Sequence, residues 1–152
     1  MSDRKYLPTF ADLVDRLSIC QLKQIFIPEH SAEYRKEIAL ILHDLDLILS
    51  AGGYEVTARM IRATMIIMLA NRVIWESESK ARAGGSEQDK LLKFTHSVNG
   101  VRNTAKNVVA EITGERKDHK IDALAADLIA EFGNWNIFAD EPTRPDTGKP
   151  NV

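Results

Sequence analysis

Two sets of polar residues in this sequence are spaced so that each set would align on one face of a helix. The first set recurs at intervals of 4, 3 and 4: Asn71, Trp75, Glu78 and Arg82. The second recurs at intervals of 3, 4 and 3, with one further basic residue beside it: His96, Asn99, Asn103 and Lys106, with Arg102. Because residues three or four apart lie on the same side of a helix, each set should form one polar stripe.

The composition of the two stripes favours ligand binding. A solvated helix face usually carries Glu, Lys, Gln and Arg, whereas His and Asn are poorer helix formers. Cationic and amide groups beside an indole suit an anionic, planar ligand such as a nucleotide. We therefore expect Arg102 and Lys106 to pair with phosphate. Trp75 or His96 would stack on the base, and the asparagines would recognise its polar edges. The alternatives are a buried polar network that fixes helix register and a polar subunit interface.

Metal-binding and catalytic patterns are weaker. In the acidic segment around residues 33–46, only Glu33/Glu37 and His43/Asp46 have the spacing of one helix face, a pattern typical of a solvated surface. No local signature orients a Ser, His, Asp or Cys toward another for nucleophilic catalysis. We therefore assign no catalytic residue, no metal ligand and no cofactor.

The composition of the chain limits the cellular compartment and the kinds of binding partner that we expect. The chain has 152 residues and a formal net charge of −2, which gives no overall field to attract a nucleic-acid polymer. Its longest apolar run, residues 65–70, is far shorter than the ~20 residues of a membrane span. The N-terminus is charged rather than signal-like, and the single cysteine, Cys20, excludes an intrachain disulfide. We expect a cytoplasmic protein that does not enter membranes.

Hydrophobic periodicity predicts an all-α fold, a bundle of about five helices in one domain over residues 1–138. The predicted helices span about 9–27, 32–50, 57–82, 87–113 and 119–132, and a disordered tail follows at 139–152. Thr9 and Asp12 have the spacing of a helix cap. Residues 63–70 are apolar on every side, so the third helix should be central and covered on every side. A short turn near Gly84 should fold the third and fourth helices into a long central antiparallel hairpin.

Three short motifs accompany the stripes. They are Asp15–Ile19 (D-R-L-S-I), Asn71–Glu78 (N-x-x-apolar-W-x-x-E) and Asn99–Asn103 (N-x-x-R-N). In these motifs the chain resembles a poorly characterised group of all-helical bacterial and phage proteins of unknown function, some encoded beside lipopolysaccharide glycosyltransferases. The resemblance covers about residues 10–112. It implies an all-helical fold and a unit formed by Asn71, Trp75, Glu78, Asn99, Arg102 and Asn103, but no particular activity.

The leading hypothesis is a homo-oligomeric binding protein that recognises or sequesters an anionic small molecule such as a nucleotide, and an enzymatic activity is left open. A phage protein that counters a nucleotide-signalled host defence is one version. Oligomerisation is expected because the longest predicted helices, about 40 Å, exceed a compact globule of this size. One alternative is a magnesium-dependent all-α nucleotide pyrophosphohydrolase, although its E-x-x-E and E-x-x-D pairs are missing from the core helices here. The other is a protein-interaction module without a small ligand.

Overall fold

A computed structural model describes residues 4–85 and 87–117 of the chain. Over these residues the protein folds into four α-helices and one 3-10 turn, with no β-strand. The helices are α1 (Phe10–Phe26), α2 (Ser31–Ser50), α3 (Ala58–Arg82) and α4 (Gln88–Thr113), and the turn is Pro28–His30. The all-helical prediction is confirmed, and these four helices agree with the predicted ranges to within one residue at each end.

The described residues do not include two of the predicted elements. The fifth predicted helix, about 119–132, and the predicted tail at 139–152 lie outside the described residues. Among the described helices, none has the length and apolarity that crossing a membrane requires.

The predicted cap fixes the start of α1. Asp12 donates its backbone N–H to Thr9 Oγ1 at 3.1 Å, and Thr9 donates its own N–H to Asp12 Oδ2 at 3.0 Å. The next N–H of the first turn, that of Phe10, donates to Glu115 Oε1 at 2.9 Å. Since Glu115 follows α4, this bond joins the beginning of α1 to the end of α4.

The core lies where α1 packs against the pair α3 and α4. The most extensive helix-to-helix packing in the described fold is between α3 and α4, and α1 contacts both of them. The fully buried side chains at this junction include Ala63, Ile67, Ala105 and Val109. Among the other described helices, α2 packs against α1 alone. Along α4, the apolar residues Val98, Val101, Ala105 and Val108 are buried.

Within the described residues, α3 is not covered on every side as the sequence predicts. Met65 and Leu69, in the middle of the continuously apolar segment, are 61% and 64% exposed. Their neighbours Ala63 and Ile67 are completely buried. The described helices that pack against α3 are α1 and α4, and both lie on its Ala63 and Ile67 side. An apolar face of α3 is therefore left exposed.

Candidate functional site

A buried amide on α3 is the centre of a polar network that joins three helices. Asn71 is only 4% exposed. Its Nδ2 donates to Asp15 Oδ1 at 2.8 Å and to Ser18 Oγ at 2.6 Å, both on α1. Its Oδ1 accepts from Arg102 Nη1 on α4 at 3.1 Å. The two amide hydrogens and the carbonyl oxygen of Asn71 are therefore all used inside the protein.

The same network brings together the three sequence motifs. Asp15 and Ser18 belong to the first motif, Asn71 to the second and Arg102 to the third. Ser18 donates its hydroxyl to the Asp15 carbonyl oxygen at 2.8 Å, which leaves its oxygen free to accept from Asn71. The motifs thus meet at a hydrogen-bonded junction of α1, α3 and α4.

Only part of the hydrogen-bonding capacity of the Arg102 side chain is used at this junction. Its Nε is buried without a hydrogen-bond partner, the one such side-chain atom in the part of the chain that the structure describes. The side chain as a whole is half-buried, and Nη1 makes its bond to Asn71. A buried donor without an acceptor reduces the stability that Arg102 contributes to the junction.

Lys106, one turn further along α4, is paired with two carboxylates of α1. Its Nζ lies 3.1 Å from Asp12 Oδ1 and 3.6 Å from Asp15 Oδ2. Partial burial raises the pKa of Asp12, but the hydrogen bond from the Thr9 backbone and the Lys106 ammonium outweigh burial and hold that pKa below its ordinary value. Asp12 is therefore a stable anion at neutral pH.

The remaining predicted ligand-binding residues are more dispersed. Trp75 stacks on Phe26 of α1, with ring centroids 6.4 Å apart, and the Arg72 guanidinium lies 4.5 Å from the centroid of the Phe26 ring. Asn99 and Asn103 are half-buried on α4. Three others are exposed on the surface: Glu78, Arg82 and His96. The structure brings Asn71 and Arg102 together and places Lys106 next to them through Asp15.

Comparison with known proteins adds no family to this description. No family model, curated protein or solved structure matches the chain. The chemistry of the site therefore has to be inferred from its own geometry.

A groove of about 300 Å³ lies where the segment before α1 meets the end of α4. Its polar and aromatic lining includes Tyr6, Thr9, Asp12, Lys106, Arg116 and Lys117. Of the nine predicted ligand-binding residues, Lys106 is the one in this lining. The charged residues that line the groove are three cations and one carboxylate. Two further carboxylates pair with these cations, since Lys106 also contacts Asp15 and Lys117 Nζ lies 3.5 Å from Glu111 Oε2.

Contacts within the protein orient the Arg116 side chain in the absence of a ligand. Its guanidinium lies 4.0 Å from the centroid of the Tyr6 ring and donates to the Leu7 carbonyl oxygen. It also lies 3.6 Å from Asp12 Oδ2. None of Tyr6, Arg116 and Lys117 belongs to the two polar stripes that the sequence predicts as the binding site. The only signal available was the pair of adjacent basic residues after a helix-ending glycine.

The acidic segment considered for metal binding has other partners. Glu37 accepts from Arg16 Nε at 2.7 Å, and this hydrogen bond lowers the pKa of Glu37. His43 contacts its neighbour Asp44 at 3.2 Å on the exposed side of α2. Within residues 4–85 and 87–117, no group of three or more His, Cys, Asp or Glu side chains is arranged to hold a metal ion.

Proposed function

We propose that the protein binds a small phosphate-bearing anion, specifically a mononucleotide, in the groove between the segment before α1 and the end of α4. One observation carries the proposal: Lys106, Arg116 and Lys117 line the same concave surface. Its volume of about 300 Å³ is at the lower end of the range for small-molecule sites. The proposal keeps the sequence-based ligand class and the phosphate-binding role of Lys106.

The arrangement of Arg116 supports phosphate as the recognised group. Because the Tyr6 ring and the Leu7 carbonyl already orient its guanidinium, little side-chain entropy is lost when a ligand binds. The planar guanidinium can donate to two oxygens of one phosphate, and a nearby ammonium adds charge without fixing direction. Arg116 thus orients the phosphate group, while the positive charges of Lys106 and Lys117 attract it.

The Asp12 carboxylate competes with the ligand for the cations of the groove. It contacts both Lys106 and Arg116 in the ligand-free arrangement. A phosphate oxygen that enters the groove takes over these contacts from the Asp12 carboxylate. Removing the carboxylate charge should therefore strengthen anion binding, whereas removing the cations should weaken it. These opposite effects distinguish a binding groove from a surface that is only structural.

Tyr6 supports a nucleotide over simple phosphate. Its side chain is 77% exposed although its ring borders the groove. An exposed ring beside a phosphate site offers a surface on which a nucleobase can stack. We propose structural roles for Asn71, Arg102 and Trp75, because their polar atoms and ring are engaged with α1.

The decisive experiment is calorimetric titration of the full chain with inorganic phosphate, pyrophosphate, adenosine, AMP and ATP. We expect AMP to bind more tightly than either phosphate or adenosine alone. The double variant Arg116→Gln/Lys117→Gln should weaken binding about tenfold or more, since each lost charge-assisted contact is worth about 1.5–3 kcal/mol. Asp12→Asn should strengthen binding.

The chain contains a matched control for the double variant. Arg35 and Lys36 are also an adjacent, exposed Arg-Lys pair, but they lie on α2 and do not line the groove. Arg35→Gln/Lys36→Gln changes the net charge by the same amount and should leave the affinity unchanged. The proposal is wrong if no probe binds, or if the two double variants weaken binding equally.

We also propose that α3 and α4 form the long antiparallel hairpin expected from the sequence. The five-residue connection between Arg82 and Gln88 is too short for α4 to return and run parallel to α3. The hydrogen bond between Asn71 and Arg102 and the cluster of Ala70, Ile74 and Val98 support this pairing. Distance measurements between spin labels at the exposed positions Arg59 and Glu111 test it, since only an antiparallel hairpin brings the start of α3 close to the end of α4.

A further inference from the structure

Each of the three cations that line the groove already has a carboxylate partner in the protein. Lys106 Nζ lies 3.1 Å from Asp12 Oδ1, and Arg116 Nη2 lies 3.6 Å from Asp12 Oδ2. Lys117 Nζ lies 3.5 Å from Glu111 Oε2. An anion that enters the groove therefore has to replace contacts that these cations make with carboxylates.

This pairing sets a requirement on the charge of the ligand. A group with a single negative charge exchanges one monoanion for another, so the cations gain little Coulomb energy from it. A phosphodiester is such a group. A phosphomonoester carries a charge of about −1.5 to −2 at pH 7 and presents three strong acceptor oxygens. Of the two, the monoester brings more charge to the cations than the carboxylates already do.

The positions of the cations suit three oxygens of one phosphate group. Asp12 contacts Lys106 through one carboxylate oxygen and Arg116 through the other, so these two cations are spaced for two oxygens on a single atom. Lys117 follows Arg116 directly and lines the same groove. The side chains of Lys117 and Glu111 are 43% and 60% exposed, and an exposed ion pair contributes little. Lys117 can therefore turn to a third oxygen at small cost.

The end of α4 fixes the backbone that carries Arg116 and Lys117. Gly114 is in the left-handed conformation, with a φ of 69°. The N–H of Glu115 donates to the Ala110 carbonyl oxygen at 3.0 Å, which closes the last turn of the helix. The two basic residues therefore leave α4 in a defined direction, and the backbone as well as the side chains places them at the groove.

We infer that the groove selects a terminal phosphomonoester, with its three unesterified oxygens, and discriminates against phosphodiesters. Lys106 and Arg116 bind two of these oxygens, and Lys117 binds the third. AMP has a terminal monoester, whereas cyclic mononucleotides and internally linked dinucleotides have only diesters. The inference rests on the ligand groove proposed above and narrows the class of its ligand.

Calorimetric titration of the full chain with AMP, the 5′-methyl ester of AMP and 3′,5′-cyclic AMP tests the selection. The three probes share the base and the ribose, but only AMP has a monoester. We expect AMP to bind about tenfold or more tightly than either diester, because it makes one more charge-assisted contact. Equal affinities for the three probes would overturn this inference and leave the proposed groove intact. If none of the three binds, the groove and the inference both fail.

The charge requirement also predicts that the selection depends on pH. The second pKa of a phosphomonoester is about 6, so AMP is mainly a dianion at pH 7 and mainly a monoanion at pH 5. The ratio of the AMP affinity to the cyclic AMP affinity should therefore fall about tenfold between these two pH values. A ratio that stays constant would overturn the inference.

The ratio is measured because titration of the protein affects both ligands and largely cancels in it. The described charged and titratable groups around the groove come from α1, from α4 and from the segments that flank them: Asp12, Asp15, Lys106, Glu111, Tyr6, Glu115, Arg116 and Lys117.

The variant Lys117→Gln tests the contact with the third oxygen. It should weaken AMP binding about tenfold and binding of the methyl ester about twofold or less, since the diester has no third unesterified oxygen. The matched control is Lys36→Gln, which removes an exposed lysine of α2 that does not line the groove and should change neither affinity. Equal losses for AMP and its methyl ester would show that Lys117 does not distinguish monoester from diester, and the inferred arrangement would be wrong.

Discussion

Asn71 donates its side-chain amide to Asp15 Oδ1 at 2.8 Å, and this hydrogen bond joins α3 to α1 across 56 residues of sequence. The carbonyl oxygen of the same amide accepts a hydrogen bond from Arg102, which joins α4 to the same junction. A buried group with all its hydrogen bonds made favours one alignment of the helices, because any slip leaves polar atoms without partners. The junction therefore fixes how the three helices sit against one another.

Replacing Asn71 with Ala should destabilise the protein strongly. The substitution leaves Ser18 and Arg102 without their Asn71 contacts at a position that is almost completely buried. Unsatisfied buried groups cost about 1–3 kcal/mol each, so we expect a loss of about 2–3 kcal/mol in the free energy of unfolding. Urea denaturation followed by circular dichroism measures it. Asn103→Ala on α4 is the control and should change stability by less than about 0.5 kcal/mol. Equal losses in the two variants would contradict the role given to the junction.

Arg102→Met should be milder than Asn71→Ala. The substitution removes the donor to Asn71 Oδ1, but it also removes the buried Nε that has no acceptor. Because these effects oppose each other, we expect a loss of about 1 kcal/mol or less. In the double variant the two losses should not add, since both substitutions break the same hydrogen bond. Additive losses in urea denaturation would show that Arg102 acts outside the junction.

Asp12 should make stability depend on pH in the acid range. Its pKa in the folded state lies below its ordinary value of 3.8, so the folded state binds the Asp12 proton less readily than the unfolded state does. The stabilisation is therefore complete above about pH 5 and disappears as the pH falls through the folded pKa. Asp12→Asn should cost about 0.5–2 kcal/mol at pH 7, as other cap substitutions do, and clearly less at pH 3. Urea denaturation of both proteins at the two pH values measures this difference. A difference that stays constant with pH would assign the effect to something other than the Asp12 charge.

The helices could be predicted because their signals are local. The Thr9 and Asp12 cap and the apolar spacing along α4 each depend on residues within a few turns of one another. Which apolar side chains of a helix are exposed was harder to predict. A run such as 63–70 is apolar on every side, but periodicity does not say how many neighbours are present to cover it. The exposure of Met65 and Leu69 depends on where α1 and α4 pack.

The candidate site could be predicted only in part for the same reason. Helical spacing placed Asn71 and Arg102 on polar stripes, and the structure joins them. Their partners Asp15 and Ser18 lie more than 50 residues away from Asn71, at a distance where sequence spacing carries no information. The groove depends on a still longer contact, the bond from Phe10 to Glu115.

The contact between Phe26 and Trp75 should be worth more than the apolar area that it buries. Their rings are stacked with an angle of 28° between the planes, and Phe26 also lies under the Arg72 guanidinium. A double-mutant cycle with Phe26→Leu and Trp75→Leu isolates the ring-to-ring term, because leucine keeps much of the apolar volume. We expect a coupling of about 0.5–1.5 kcal/mol in urea denaturation, near the lower value because Phe26 is 43% exposed. A coupling near zero would mean that the indole is not held by α1, and Trp75 would then be available to stack on a ligand, as the sequence alone suggested.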